Sequence, residues 1–149
     1  MNEQNFSNHA KIVPVFHYFV GPVLMINVVT HCIALFKSFS APPGFILLSF
    51  LAVLSSIAIL MLAFLVRLFA LGVQDRVIRL EERMRYERLL PEDLKPRIGE
   101  FTINQLVSLR FASDAELPAL ARKVLDGKMS ERKAIKQMVQ NWRADYQRI

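Results

Sequence analysis

Charge is almost missing from the front half of this chain. No Lys, Arg, Asp or Glu lies between Lys11 and Lys37, a stretch of 25 residues, or between Lys37 and Arg67, a stretch of 29. A bilayer core about 30 Å thick needs only about 20 apolar residues in a helix. Cysteine is nearly missing too. Cys32 is the only one, which excludes an intramolecular disulfide and a cysteine-based zinc site. It reads as a small apolar filler. Also missing are His-Glu-x-x-His, a Walker loop, Gly-x-Ser-x-Gly and any pair of cysteines, the spacings that bring a nucleophile, a phosphate cradle or a metal set together. The sequence therefore offers no catalytic constellation, and the chain is expected not to be an enzyme and to carry no metal or cofactor.

What is present is a two-part chain of 149 residues. Only Glu3, Lys11 and Lys37 carry charge before Arg67, and 17 Lys/Arg against 12 Asp/Glu follow from there on. The first apolar stretch predicts a span over residues 12–36, and the second a span over 45–66. The first is too long for the apolar region of a signal peptide, typically about 7–15 residues. It also contains His17, Asn27 and His31. Pro14 suits a first helical turn. Pro22 has no N–H for the carbonyl of Tyr18, so a kink is expected there. The segment from Ser38 to Gly44, with Pro42 and Pro43, reads as a tight turn. Ser49, Ala52, Ser56 and Ala63 place small residues on one side of the second span, where helices can approach closely in lipid.

Arg67, Arg76, Arg79, Arg83, Arg85 and Arg88 crowd the end of the second span, whereas the turn has only Lys37. The positive-inside bias then puts both termini in the cytoplasm, with Ser40 outside and Ser113 inside. Arg76, Arg79 and Arg83 are candidates for contact with anionic lipid headgroups. From Arg67 to Leu90 there is no proline, so the second helix is expected to run on to Leu90 and stop at Pro91. Val66, Val73, Val77, Leu80 and Met84 form a heptad-like stripe along it. Asp75 with Arg79, and Glu81 with Arg85, have favourable i, i+4 spacing. The pair Glu81-Glu82 reads as part of a solvated ion-pair face.

Residues 91–101 read as a linker, broken by Pro91, Pro96 and Gly99. Residues 102–149 predict a small helical domain of three helices. Thr102 with Gln105, and Ser113 with Glu116, have capping-box spacing. Gly127 is placed to end the second helix. Ser130 is placed to cap the third, whose apolar face is Ala134, Ile135, Met138, Val139 and Trp142. The fold class expected is thus an all-α membrane protein. It has a two-span hairpin over 1–90 with its second helix extended through 67–90, and a cytoplasmic helical domain behind it.

His17 and His31 are the one candidate ligand pair. They lie nearly four turns apart, on roughly one face of a helix. That spacing resembles the helix of b-type cytochromes that gives one ligand to each of two stacked haems, but the second span has no histidine to complete either set. They are expected instead to make polar contacts between helices. Arg132, Lys133 and Lys136 could face nucleic-acid phosphates. The leading expectation is an accessory or scaffolding subunit that presents the domain to a protein partner. A haem-carrying homo-oligomer and a membrane-tethered nucleic-acid binder are the alternatives.

Several segments together carry a resemblance: residues 4–9 (Gln-Asn-Phe-Ser-Asn-His), residues 73–83 (Val-Gln-Asp-Arg-Val-Ile-Arg-Leu-Glu-Glu-Arg), Leu109 to Asp114, Lys133 to Lys136, and Asn141-Trp142-Arg143. The chain resembles a bacterial family of small two-span membrane proteins classed as a domain of unknown function. The resemblance covers nearly the whole chain. It implies an inner-membrane location, and brings no activity or ligand set.

Overall fold

The computed structural model describes residues 4–8 and 11–145. His9 and residues 146–149, the end of the expected C-terminal domain, lie outside the described residues. Among the described residues the regular structure is all helical, and the one β-type feature is an isolated antiparallel bridge between Ala112 and Trp142. The chain divides into two compact units, residues 12–70 and residues 71–149 taken with 1–11.

In residues 12–70, a π-helical segment, Val15–Val20, leads into α1, Gly21–Ser38. The disturbance expected from Pro22 takes this form. Pro22 offers no N–H to Tyr18, and its ring would crowd that carbonyl in a regular α-helix. The backbone widens instead, and the Gly21 N–H reaches back to Phe16 O. A Cβ on Gly21 would sit 3.2 Å from that same oxygen, so a residue without one eases the wide turn. After the turn at 39–42, α2 runs 47 residues from Pro43 to Leu89, or about 70 Å at 1.5 Å per residue. Residues 43–70 of α2 belong to this unit. Ser56 and Val53 are the buried residues of that stretch of α2, and Ser49, Ala52 and Ala63 are half-buried, so the small-residue side is the covered one. Phe16 meets Phe64 edge-on, with ring centroids 6.3 Å apart. Phe19, Ile26, Leu47, Leu54, Leu62 and many other large apolar side chains are exposed. Two helical stretches, Val15–Ser38 and Pro43–Leu89, are long and apolar enough to cross a membrane.

In the other unit, α2 continues to Leu89, where Pro91 ends it by disfavouring helix at the residue before it. Residues 91–101, a linker by composition, are folded. They carry a 3₁₀ segment, Lys95–Glu100, and give the core Leu94, Ile98 and Phe101. Leu94 is uncharged and apolar between two prolines, and packing outweighs the breakers there. Three short helices follow: α3, Ile103–Leu109; α4, Leu117–Asp126; and α5, Arg132–Gln137. Tyr86 and Leu90 join Leu106, Leu109, Leu117, Ala121, Val124, Ile135 and Val139 in one apolar cluster.

The helix ends follow local chemistry. Thr102 and Gln105 form the complete capping box, each side chain bonded to the other's backbone N–H. Ser113 makes only half of the second box: its hydroxyl accepts from the Glu116 N–H at 3.4 Å. The Glu116 carboxylate turns away and accepts from the N–H groups of Gln140 and Asn141. Ser130 does not cap α5, whose N-cap is Glu131 with no side-chain bond. At the end of α4 the left-handed residue is Lys128, φ 46°, and not Gly127. The Met129 N–H bonds to Val124 O and the Lys128 N–H to Leu125 O, the Schellman pattern. Gly127 serves by leaving space, since a Cβ there would lie 2.9 Å from Lys123 O.

α5 is shorter than the apolar spacing through Trp142 suggests. It ends at Gln137, and residues 141–143 run extended beside 111–113. The Ser113 N–H bonds to Asn141 O at 2.9 Å, and the Arg143 N–H to Phe111 O at 2.7 Å. Trp142 is therefore half-buried beside the core rather than inside it. Its ring lies 4.9 Å from that of Phe111, and its Nε1–H donates to Val139 O.

Candidate functional site

The polar centre of the tail unit lies on the face of α2 that carries Ile78, Glu82, Arg85 and Tyr86, all buried. Arg85 is only 3% exposed. Its guanidinium donates from Nη2 to Ala112 O at 2.7 Å, from Nη1 to Arg110 O at 3.4 Å and from Nε to Asp114 Oδ1 at 2.9 Å. Its Nη1 lies 3.3 Å from Glu82 Oε2. A planar fork with five donors can serve two carbonyls and two carboxylates at once, which a lysine could not. Arg85 thereby ties the end of α2 to the chain between α3 and α4.

Sequence spacing paired Arg85 with Glu81 and Asp75 with Arg79. In the structure Arg85 takes Glu82 and Asp114 instead, and Asp75 faces Arg132 at 3.6 Å. The i, i+4 rule describes an isolated helix, whereas here the tail covers one side of α2 and recruits the charges on that side. Glu82, expected on a solvated face, is buried. That burial raises its carboxyl pKa above the ordinary 4.5, against the pull of Arg85 and Arg143. Asp114 moves the other way, below 3.8, because it accepts hydrogen bonds from Arg85. Tyr86 is fully buried against Phe101, ring centroids 5.0 Å apart, and burial pushes its hydroxyl well above 10.

Beside this centre opens a cleft of about 910 Å³. Glu81, Glu82, Glu87 and Asp145 line it with negative charge, and Arg85, Arg88, Arg110 and Arg143 with positive charge. Arg110 is nearly buried, stacked 4.7 Å from the Phe111 ring, and its Nη1 lies 3.2 Å from Asp145. The lining is mixed in sign and held rigidly at its base. Phe111 and Arg110, central to this arrangement, lack any spacing signal in the sequence. Their burial depends on the pairing of 111–113 with 141–143.

The histidines are elsewhere. His17 Nδ1 lies 2.9 Å from Val13 O, and His31 Nδ1 lies 2.9 Å from Asn27 O. Both contacts are to the carbonyl four residues back in the chain, so the contact expected between helices is not what these nitrogens make. Among the described residues no group of three or more His, Cys, Asp or Glu could hold a metal ion. Of the cations considered for phosphate, Arg132 donates to the Asn104 side chain at 2.7 Å, and Lys136 lies over the Phe111 ring at 5.2 Å. Arg76, Arg79 and Arg83 are exposed along α2.

A family model described as a family of unknown function, DUF6526, matches residues 1–149. The chain belongs to that family. Its membership agrees with the resemblance to an uncharacterised family carried by the N-terminal, α2 and tail motifs. No curated protein and no solved structure matches the chain.

Proposed function

We propose that this DUF6526 chain is a non-enzymatic accessory or scaffolding subunit of the bacterial inner membrane. It crosses the membrane twice and presents its C-terminal helical region, with the charge-lined cleft, to a protein partner in the cytoplasm. One observation carries the reading. Large apolar side chains are exposed all along α1 and residues 43–70 of α2, while after Met84 the described residues expose no large apolar side chain and gather theirs in a core. An apolar surface of that extent is unstable in water and stable in lipid. Backbone groups there are satisfied within the helices, as a bilayer requires. The crowd of arginines after the second span favours a cytoplasmic tail. A two-span hairpin also returns its ends to the same side, and the Asp145 N–H donates to the Gln4 side chain at 2.8 Å.

The test is to purify the full chain in mild detergent and identify what comes with it. A stoichiometric protein partner lost on reversing the cleft charges, as in Arg143→Glu with Arg88→Glu, is the expected result. Purification without any protein partner would overturn the scaffolding role. The visible spectrum of the same preparation addresses the alternative in which His17 and His31 hold haem. No Soret band is expected.

A further inference from the structure

The charged part of α2 has a second face, and its chemistry is the reverse of the first. Val73, Val77, Leu80 and Met84 recur at spacings of four, three and four, and are each between 48 and 63% exposed. Ile78, Glu82, Arg85 and Tyr86, on the other side of the same turns, are buried under the tail. A helix segment that carries Asp75, Arg76, Arg79 and Glu81 belongs in water, where four large apolar side chains in one row mark an interface.

We propose that the occupant of this row is a second copy of the same chain, in a parallel two-stranded coiled coil over residues 73–84. In heptad terms Val77 and Met84 take the a positions and Val73 and Leu80 the d positions. The central layer, Val77 at a and Leu80 at d, has the β-branched-at-a, leucine-at-d pattern that favours two strands in a parallel coil, and Val73 at d and Met84 at a flank it. Charge agrees with this register. Arg76 falls at g and Glu81 at the following e, both exposed, and in a parallel pair the g residue of one chain faces the next e residue of the other. Two-fold symmetry makes that contact twice. Arg83 and Arg88 would form the next g–e pair with like charges, and Glu87 takes the next d position, so the apolar row ends at Met84. The parallel sense rests on the membrane-anchored reading above: two copies inserted the same way carry α2 out of the bilayer in the same direction. Two heptads are too short to hold alone, since isolated short helices are marginal in water. Confinement to one membrane raises the effective concentration and removes that obstacle.

The experiment uses the full chain with Cys32→Ser in native membranes. Single changes Val73→Cys, Val77→Cys, Leu80→Cys and Arg79→Cys are oxidised and run without reductant. Disulfide-linked dimers at Val77 and Leu80, and few or none at Arg79, are expected. Co-expressed Val73→Cys and Met84→Cys chains distinguish the sense, because an antiparallel pair links 73 to 84. Links between 73 and 84 without links at 80, equal linking at all sites, or linking of Leu80→Cys to a different protein would each overturn the proposal. With Val73→Cys as the cross-linking reporter in the same native membranes, Val77→Glu with Leu80→Glu should abolish the disulfide-linked dimer, while leaving the fluorescence of Trp142 in the purified chain unchanged. A dimer that survives this pair of changes would also overturn it. Carbonate extraction of the same membranes reads the anchoring separately. A chain released by carbonate would refute the membrane reading, whatever the cross-links show.

Discussion

α2 passes through two regions that treat the same helix in opposite ways. Across residues 43–70 it has one charged residue, Arg67, and turns Leu, Ile and Phe outward. Across residues 71–89 it is rich in charge, yet two of its charges, Glu82 and Arg85, are buried. The helix backbone is continuous through both, so propensity does not make the difference. The surroundings do. In the first region exposed apolar surface is tolerated because, on this account, lipid is the solvent. In the second, a covering tail makes it worthwhile to bury an arginine, provided that carbonyls and carboxylates satisfy it.

The comparison breaks most sharply at Arg85. Arg85→Met should destabilise the tail by about 3–5 kcal/mol, because Glu82 is then left buried without its partner. Phe111→Ala should cost a similar amount, about 3–5 kcal/mol, since Phe111 is fully buried and leaves a large cavity. Hydrogen exchange over residues 103–137 in detergent reads both, and α1 should keep its protection. Equal loss of protection in α1 would mean that the two regions do not unfold separately.

Trp142→Ala should cost less, about 1–3 kcal/mol, because the ring is half-buried and its loss leaves a smaller cavity. A loss as large as that of Phe111→Ala would place the ring inside the core after all.

Glu82 sharpens the comparison through pH. Its folded pKa is raised, so the stability it adds is fully present below its ordinary value of 4.5 and is lost as pH rises through the higher folded value. Acidifying from neutral pH toward 4.5 should therefore stabilise the wild-type tail relative to Glu82→Gln. Asp114 has the opposite sign. Its folded pKa lies below 3.8, so what it adds is lost only on further acidification through that lower value. Melting temperatures of the two proteins that stay parallel from pH 7 to 4.5 would contradict the burial of Glu82.

The smallest effect is expected at Lys128, the one non-glycine residue with positive φ among the described residues. Lys128→Gly should stabilise the tail by roughly 0.5–1 kcal/mol by relieving the left-handed strain. No change in melting temperature would show that the α4 terminus relaxes in solution.

Much of the helical layout is legible in the chain itself, for local reasons. The charge-free runs and Pro91 mark out most of α2, though Pro43 and Gly44, expected in the turn, form its first residues because a proline fits a first helical turn. The Thr102–Gln105 box marks the start of α3. Legibility stops where distant residues decide. Leu94 and Ile98 sit among breakers, yet the core claims them. Glu82 and Arg85 have the pattern of a surface pair until the tail covers them. Trp142 keeps helical spacing with Ile135, but the pairing of 141–143 with 111–113 draws it off the helix. The candidate site was the least legible part, because Arg110, Asp114, Arg143 and Asp145 come together only through that pairing and through the docking of α2.

The central claim is that one region lives in lipid and the other in the cytoplasm. Ser40 in the turn is exposed, but Ser113 is half-buried and its hydroxyl accepts from the Glu116 N–H, so exposed Ala119 is the better inner reporter. With Cys32→Ser as background, Ser40→Cys and Ala119→Cys should be probed in intact cells with an impermeant thiol reagent. The account predicts labelling at position 40 and none at 119 until the cells are opened. Labelling at 119 and not at 40 in intact cells would contradict it.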